Sequence, residues 1–241
     1  MKGMKKLITR LFIIAVTPAI SIALAVYLSD RYDREPISLL FKTFALGALS
    51  VIPTAAVETL LIRVNIFPGL LGVVFMTFIV AGLTEEFFKR AVVLKYIYNN
   101  RHFNEKLDGI VYAVFSALGF ATVENIMYVV FRFSNNPYVG LYRGLLSVPA
   151  HAIFGVTMGY YLSLAKFSLN EEEEKLYLRK SLFIPVILHG IFNFILMANI
   201  PALASLLIPY VIYLWWTNQK KLNHYINESE KRHDRLNDDD M

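Results

Sequence analysis

Apolar and polar residues alternate in long blocks along this chain. Each apolar block is roughly twenty residues long, about the length that a helix needs to cross the hydrocarbon core of a bilayer, and short polar linkers separate the blocks. The pattern predicts an all-α, polytopic transmembrane helix bundle with seven membrane-spanning helices, eight being the alternative count. Their approximate ranges are 7–28, 37–62, 70–98, 107–133, 141–166, 181–199 and 202–216.

The pattern contains no internal repeat and no separate soluble domain. We expect a transmembrane domain over residues 1–217 and a polar, solvated tail over 218–241, with its last dozen residues disordered. The Lys and Arg residues of the linkers favour an N-terminus outside the cytoplasm, whereas the basic residues before the first helix favour the opposite orientation.

Composition agrees with a membrane protein. Hydrophobic residues make up 56% of the chain, and the mean hydropathy is +0.48, above what a soluble domain shows. The net charge is +5, but the basic residues mostly flank apolar blocks, so a lipid bilayer is the expected partner and nucleic acid is not. The chain has no cysteine, which excludes disulfide and thiol chemistry.

Several polar side chains, most of them ionisable, lie near the middles of apolar blocks. A charge at the bilayer centre costs at least ~2.5–3.5 kcal/mol on insertion scales and therefore indicates a function. Each group lies within about one helical turn, ~3.6 residues, of its block's midpoint, so four helices present polar groups at one depth. They are Glu85, Glu86, Lys89, Glu124, Asn125, His151, His189 and Asn193.

Structural roles are the alternative for each residue taken alone. Glu85 and Lys89 are four residues apart and can form an ion pair on one helix face, which leaves Glu86 as a surplus buried carboxylate. Two adjacent carboxylates in such a setting are suited to general acid–base chemistry. His151 begins a stripe with Gly155 and Gly159, whose spacing favours a close helix contact.

Other polar residues have simpler expected roles. Asn193 can bond neighbouring helices, and Glu124 can bond to Tyr128 one turn further on. Asp108 and Glu58 are expected near segment ends, where capping or snorkelling is sufficient.

The common protease motifs are missing. No histidine begins H-E-x-x-H, no G-x-S-x-G is present, and the only aspartate inside an apolar block is Asp108. What remains is a glutamate that can deprotonate water and a set of His and Asn side chains that can donate to an oxyanion. Alternatively, His151, His189 and either Glu85 or Glu86 form a suitable ligand set for catalytic zinc.

The order of motifs resembles one known family. Five motifs carry the resemblance, in sequence order: Glu85-Glu86-Phe87-Phe88-Lys89, Asp108-Gly109-Ile110-Val111-Tyr112, Gly119-Phe120-Ala121-Thr122-Val123-Glu124-Asn125, Pro149-Ala150-His151 and His189-Gly190-Ile191-Phe192-Asn193. Tyr32-Asp33-Arg34-Glu35-Pro36 and Leu214-Trp215-Trp216 also fit. The chain thus resembles the PrsW family of bacterial membrane proteases, which is related to the CAAX prenyl protease and bacteriocin-immunity superfamily.

The resemblance implies a multi-pass protease of the bacterial cell membrane, whose protease domain would be residues 1–217. Its implied substrate is a membrane-anchored anti-sigma factor, cut first on the extracytoplasmic side so that a sigma factor is later released in a cell-envelope stress response. A metal is not required by the resemblance, although zinc is the candidate if one is bound.

The resemblance also implies roles for individual residues. Glu85 and Glu86 would be the catalytic pair and His189 a required partner. From the wider superfamily, Glu85 would activate water with help from His151, while His189 and Asn193 hold the oxyanion. Supporting roles would fall to Lys89, Glu124, Asn125 and Asp108. The superfamily's F-x-x-x-H is not matched, because Ser147 stands four residues before His151.

Two other functions fit the same residues. A CAAX-like protease or immunity protein would share the site but act on another substrate. A transporter or proton relay would also place Glu and His inside the membrane.

Overall fold

The structure is a computed structural model that describes residues 2–134 and 136–239. These ranges are predominantly helical and contain no strand, which confirms the predicted all-α fold. In chain order the helices are α1 (Lys2–Ser29), α2 (Ile37–Leu49), α3 (Val51–Arg63), α4 (Gly69–Val74), π1 (Phe75–Leu83), α5 (Thr84–Tyr96), α6 (Lys106–Ile126), π2 (Met127–Arg132), α7 (Pro137–Tyr142), π3 (Arg143–Ser147), α8 (Val148–Lys166), α9 (Glu171–Met197), α10 (Pro201–Ala204) and α11 (Leu207–Asp239).

Within the described ranges, six helical spans are long and apolar enough to cross a membrane. They are Lys6–Ser29, Ile37–Arg63, Gly69–Tyr96, Lys106–Arg132, Tyr138–Lys166 and Glu171–Met197, and they match the first six predicted blocks. The last of them begins ten residues earlier than its apolar block because Asn170 accepts a hydrogen bond from the backbone N–H of Glu173 at 2.9 Å. That cap and the acidic first turn stabilise a helix start outside the apolar region.

The seventh predicted block has a different form. It comprises most of α10, the turn after it and the first part of α11, whose polar continuation keeps that helix below the hydropathy of a membrane span. The hydroxyl of Tyr210 donates to the carbonyl of Leu188 near the end of α9, and Arg232 donates to the carbonyl of Asn104 before α6. The helix therefore runs the depth of the bundle. It is helical to Asp239, so the prediction of a disordered end was wrong for the described residues, and residues 240 and 241 lie outside them.

Successive spans run in alternate directions, which gives the bundle two faces. We call the end where α1 begins the N-terminal face and the end where α11 finishes the C-terminal face. In each of the two central spans, Lys106–Arg132 and Tyr138–Lys166, 67% of the apolar stretch is buried inside the bundle, against 22–39% in the other four. These two spans carry Glu124, Asn125 and His151 of the predicted mid-membrane residues, so their packing positions the site.

Small residues let α6 and α8 approach closely. A Cβ atom on Gly159 would lie 2.1 Å from the carbonyl oxygen of Gly109, and one on Gly155 would lie 3.0 Å from the Cα atom of Val114. These positions confirm the close helix contact that the Gly155–Gly159 spacing predicts. His151 is on the same helix, so this contact fixes its distance from α6.

We expect Gly159→Ala to destabilise the bundle by about 1–3 kcal/mol, because the methyl group would push against backbone that cannot rotate away. Thermal unfolding in detergent measures the effect. Gly140→Ala is the comparison, since its new Cβ would meet side-chain methyl groups, Ile14 Cγ2 at 2.8 Å and Val129 Cγ1 at 3.2 Å, and no backbone atom. Equal melting temperatures for the two variants would contradict the role of the Gly159 contact.

Candidate functional site

Three helices bring the predicted residues together inside the bundle. Glu85, Glu86 and Lys89 come from α5, His151 from α8 and His189 from α9, and all five are buried. Single ligand atoms of the two glutamates and the two histidines all lie within 4.8 Å of one another. These five residues, which were expected at one depth, therefore form a single cluster.

The ammonium group of Lys89 lies at the centre of this cluster. It donates to Glu85 Oε2 at 2.9 Å, to Glu86 Oε1 at 2.8 Å and to His151 Nδ1 at 3.0 Å, and it lies 4.3 Å from the ring centre of Phe120. Three donors and three acceptors match, so the buried charge is fully bonded. The Glu85–Lys89 ion pair expected from spacing is present, but it is part of a larger network.

The bonding of His151 fixes its tautomer. An ammonium group has no acceptor, so Nδ1 of His151 must accept the bond from Lys89. The other nitrogen, Nε2, then carries the proton and donates it to Glu124 Oε2 at 3.0 Å. Both ring nitrogens are therefore engaged within the protein.

His189 has a different environment. Its Nδ1 donates to Glu86 Oε1 at 2.9 Å, while its Nε2 is 4.0 Å from Glu85 Oε2. The ring stacks on Phe154, with 4.9 Å between centroids and 20° between planes. Nε2 and Glu85 thus face each other across a gap that is too long for a direct hydrogen bond and in which a polar group of a substrate can be held.

A cavity of about 580 Å³ reaches this gap. Its floor includes Glu85, His151 and His189, and its walls include Asn193. Arg132, at the end of π2, also lines it, as do other residues near helix ends at the N-terminal face. The cavity therefore leads from that face to the buried cluster.

Each of the three π-helical segments adjoins the site. Residues Phe75–Leu83 precede Glu85, residues Met127–Arg132 follow Glu124, and residues Arg143–Ser147 precede His151. A π-helical turn adds residues to the ordinary helical turn, and such turns occur frequently at functional sites. They rotate the following side chains relative to the preceding part of the helix.

Two cavity residues were not predicted to belong to the site. Arg143 lies 3.0 Å from Glu124 Oε2 through Nη2 and donates through Nε to Asn125 Oδ1 at 3.0 Å. Glu58 was expected to snorkel near a segment end, but it lines the cavity. Their charges inside apolar blocks were the available signal. In place of the expected bond to Tyr128, Glu124 forms an ion pair with Arg143 and a hydrogen bond with His151.

Asp108 lies away from the cluster, at the C-terminal face. It accepts from the backbone N–H groups of Asn104 and Glu105 at 2.8 and 2.7 Å and so caps α6. The capping role expected from its position is present, whereas a supporting role in the site would have to act across most of α6. Tyr112, one turn further on, donates to Glu35, and Asp30 accepts from the Glu35 backbone N–H at 3.0 Å.

The residue types of the central cluster fit a metal ion, because two histidines and a carboxylate are ligands of catalytic zinc. The fit has one condition. The ammonium of Lys89 bonds to three of the four ligand-bearing residues, so a metal ion would have to replace this cation.

We expect Lys89→Met to cost about 3–5 kcal/mol of stability, the usual effect of leaving buried carboxylates without their cation. Thermal unfolding in detergent, with a cleavage assay beside it, checks this. Lys95→Met is the control, since Lys95 lies on the same helix but outside the cluster. Adding Glu86→Gln to Lys89→Met should recover part of the lost stability, and an unchanged loss in the double variant would contradict the ion network.

A second prediction concerns the C-terminal face. Burial raises the pKa of Glu35 from its usual 4.5 to about 7 and that of Asp30 to about 6. Between about pH 4.5 and 7 the folded protein then binds more protons than the unfolded chain. Its unfolding free energy therefore falls as the pH rises through this range. Glu35→Gln should flatten this dependence, and the exposed control Glu172→Gln should keep it. Melting temperatures across this range measure both, and parallel curves for wild type and Glu35→Gln would refute the assignment.

Comparison with known proteins identifies the family of this chain. Residues 35–217 match the model of the "PrsW family intramembrane metalloprotease". The chain is 43% identical to Protease PrsW of Clostridioides difficile over 223 residues, which cover 92% of this chain and 93% of that protein. It is 36% identical to Protease PrsW of Bacillus subtilis over 206 residues, covering 86% and 91%. No solved structure matches the chain.

The matched region contains the whole polar cluster, every membrane span after α1 and the start of α11. The chain is accordingly a peptidase and a multi-pass membrane protein, and it acts on protein substrates within the membrane. These matches place the chain in the PrsW family of intramembrane proteases.

Proposed function

We propose that this protein makes the first, extracytoplasmic cut in a membrane-anchored anti-sigma factor, in the plasma membrane of a bacterium. The observation that carries the proposal is the gap between Glu85 and His189 Nε2 at the floor of the cavity. A peptide that enters from the N-terminal face reaches Glu85 and His189, which line the cavity together with His151.

The side of the cut follows from the distribution of charge. The cavity opens towards the N-terminal face, while most basic residues of the helix ends lie at the other face. Those residues include Lys95, Arg101, Lys106, Lys175, Arg179, Lys180, Lys221, Lys231 and Arg232. Basic residues concentrate on the cytoplasmic side of membrane proteins. The cavity therefore opens outside the cytoplasm, where a first cut in a single-span regulator would be made.

Glu85 is the proposed general base. It takes a proton from a water molecule held between its carboxylate and His189, and the hydroxide attacks the carbonyl carbon of the scissile peptide. The electron pair of the carbonyl π bond moves to the oxygen atom, which becomes the oxyanion. The proton then passes from Glu85 to the leaving nitrogen as the C–N bond breaks, so no proton is gained or lost in the cycle.

The oxyanion is stabilised by donors on α9. Asn193 lines the cavity one helical turn beyond His189 and can offer its amide N–H. Glu86 accepts from His189 Nδ1 and thereby orients the ring, so that an Nε2–H on this ring would face the oxyanion as a second donor. His151, held between Lys89 and Glu124, orients the ammonium that neutralises Glu85 and Glu86. If zinc is bound, His151, His189 and Glu85 or Glu86 would hold it, and it would supply Lewis-acid polarisation of the carbonyl.

We expect Glu85→Gln, Glu86→Gln and His189→Ala each to lower cleavage by about 10²–10⁴-fold, the usual contribution of a proton-transfer group. Cleavage is measured with purified protein in detergent, using single-span anti-sigma factors from the same genome. Glu171→Gln is the matched control, because Glu171 is an exposed residue at the C-terminal face, and it should cleave like wild type.

A strong zinc chelator decides the role of the metal, since its effect on wild-type cleavage separates a metal-assisted reaction from one that uses Glu85 alone. Cleavage that survives all three substitutions would show that the cluster is not the active site. Wild-type cleavage of other single-span proteins but of no anti-sigma factor would overturn the proposed substrate and leave the peptidase in place.

A further inference from the structure

We propose that Arg143 is a positioning residue of this protease, which acts through Glu124 to hold His151 in the orientation that Lys89 requires. The inference rests on the proposed function, because it assigns a part to a residue of the same site. Neither the mid-membrane pattern nor the family motifs that the sequence matches include Arg143.

The contacts form one continuous chain from the cavity wall to the catalytic cluster. Arg143 Nη2 and His151 Nε2 are each 3.0 Å from the same oxygen, Oε2 of Glu124. The opposite nitrogen of His151 accepts from Lys89, which in turn bonds to Glu85. Within the described part of the chain, Arg143 is the one Lys or Arg residue in ion-pair distance of Glu124.

Arg143 is itself held rigidly. Its Nε donates to Asn125 Oδ1 at 3.0 Å, and its guanidinium carbon lies 4.1 Å from the ring centre of Tyr128. The amide of Asn125 donates to the carbonyl of Ala15 at 2.8 Å, which ties the assembly to α1. A planar guanidinium that is bonded at its edge and stacked on its face has little freedom to move, so it can fix the position of a partner.

Glu124 needs such a partner because it lies at the edge of the cavity. Its side chain is 21% exposed, whereas those of Glu86 and Lys89 are fully buried. A carboxylate that is reached by water and bonded only to a neutral imidazole can rotate towards the water. In that case His151 would lose the acceptor for its Nε2 proton, and the ring would no longer be fixed for Lys89. Such outer partners commonly change activity by about 10–100-fold when removed.

Arg132 provides a matched comparison. It is also an arginine lining the cavity, and it also lies over the ring of Tyr128, at 5.4 Å. It forms no ion pair with Glu124 among the described contacts. A general effect of positive charge on an entering peptide would therefore appear in both arginines, whereas positioning of His151 requires Arg143.

The test compares Arg143→Gln, Arg143→Lys, Arg132→Gln, Glu124→Gln and the double variant Glu124→Gln/Arg143→Gln. All are purified in detergent and assayed on a single-span anti-sigma factor that wild type cleaves. We expect Arg143→Gln to lower kcat by about 10–100-fold and to leave KM within about threefold, since it removes no contact to the substrate. Arg143→Lys should recover part of kcat, because it restores the cation beside Glu124.

Two further results complete the test. The double variant should be no slower than Glu124→Gln alone, because both residues act through one contact. Arg132→Gln changes the cavity wall and should affect KM more than kcat, with a smaller loss of kcat than Arg143→Gln. Melting temperatures identify any variant that fails to fold, and Arg143→Lys then carries the comparison.

A rise in KM without loss of kcat in Arg143→Gln, or additive losses in the double variant, would overturn the positioning role. Glu85→Gln serves as the internal reference. If Glu85→Gln is inactive while Arg143→Gln cleaves like wild type, this inference fails and the proposed function stands; if Glu85→Gln remains active, the proposed function itself fails.

Discussion

The buried ammonium of Lys89 is the interaction on which the rest of the site depends. Two adjacent glutamates in an apolar bundle would repel each other and would be poorly solvated, and a cation bonded to both removes much of that cost. Lys89 can supply it because it lies three and four residues after the glutamates, on their side of α5. Its third bond reaches His151 on α8. The cation that balances the two glutamates therefore also fixes the position of α8 relative to α5.

This arrangement gives the two histidines separate tasks. His151 is bonded at both nitrogens and acts as a spacer between Lys89 and Glu124. His189 is bonded at one nitrogen and presents the other to Glu85. A sequence contains both residues in similar apolar surroundings and cannot distinguish them, because the difference lies in which donor or acceptor each ring meets. The close contact of α6 and α8 through Gly109 and Gly159 is what sets those partners for His151.

The sequence was informative wherever burial alone determined the outcome. Apolar blocks located the six spans, and the high cost of mid-membrane charge selected Glu85, Glu86, Lys89, His151 and His189, which the bundle does bring together. It failed where the outcome depended on geometry between helices. Three π-helical segments change the rotation of the site helices, and hydropathy carries no signal for them. Glu58 was expected near a segment end and Arg143 was assigned no role, because the sequence does not show the position of the cavity that both residues line. Asp108 shares a family motif, yet its backbone bonds place it at the C-terminal face.

The cavity and the ion network together determine how the protein can bring water to a peptide bond inside a bilayer. A fully dry cluster would hold its charges well but exclude the nucleophile, and a fully open one would let water compete for Lys89 and Glu85. Here the fully buried side of the cluster, Glu86 and Lys89, faces the helix packing, while Glu85 and His189 face the cavity. Glu124 lies between the water-accessible cavity and the buried part of the cluster. Its contact with Arg143 therefore holds these two parts of the site in a fixed relative position.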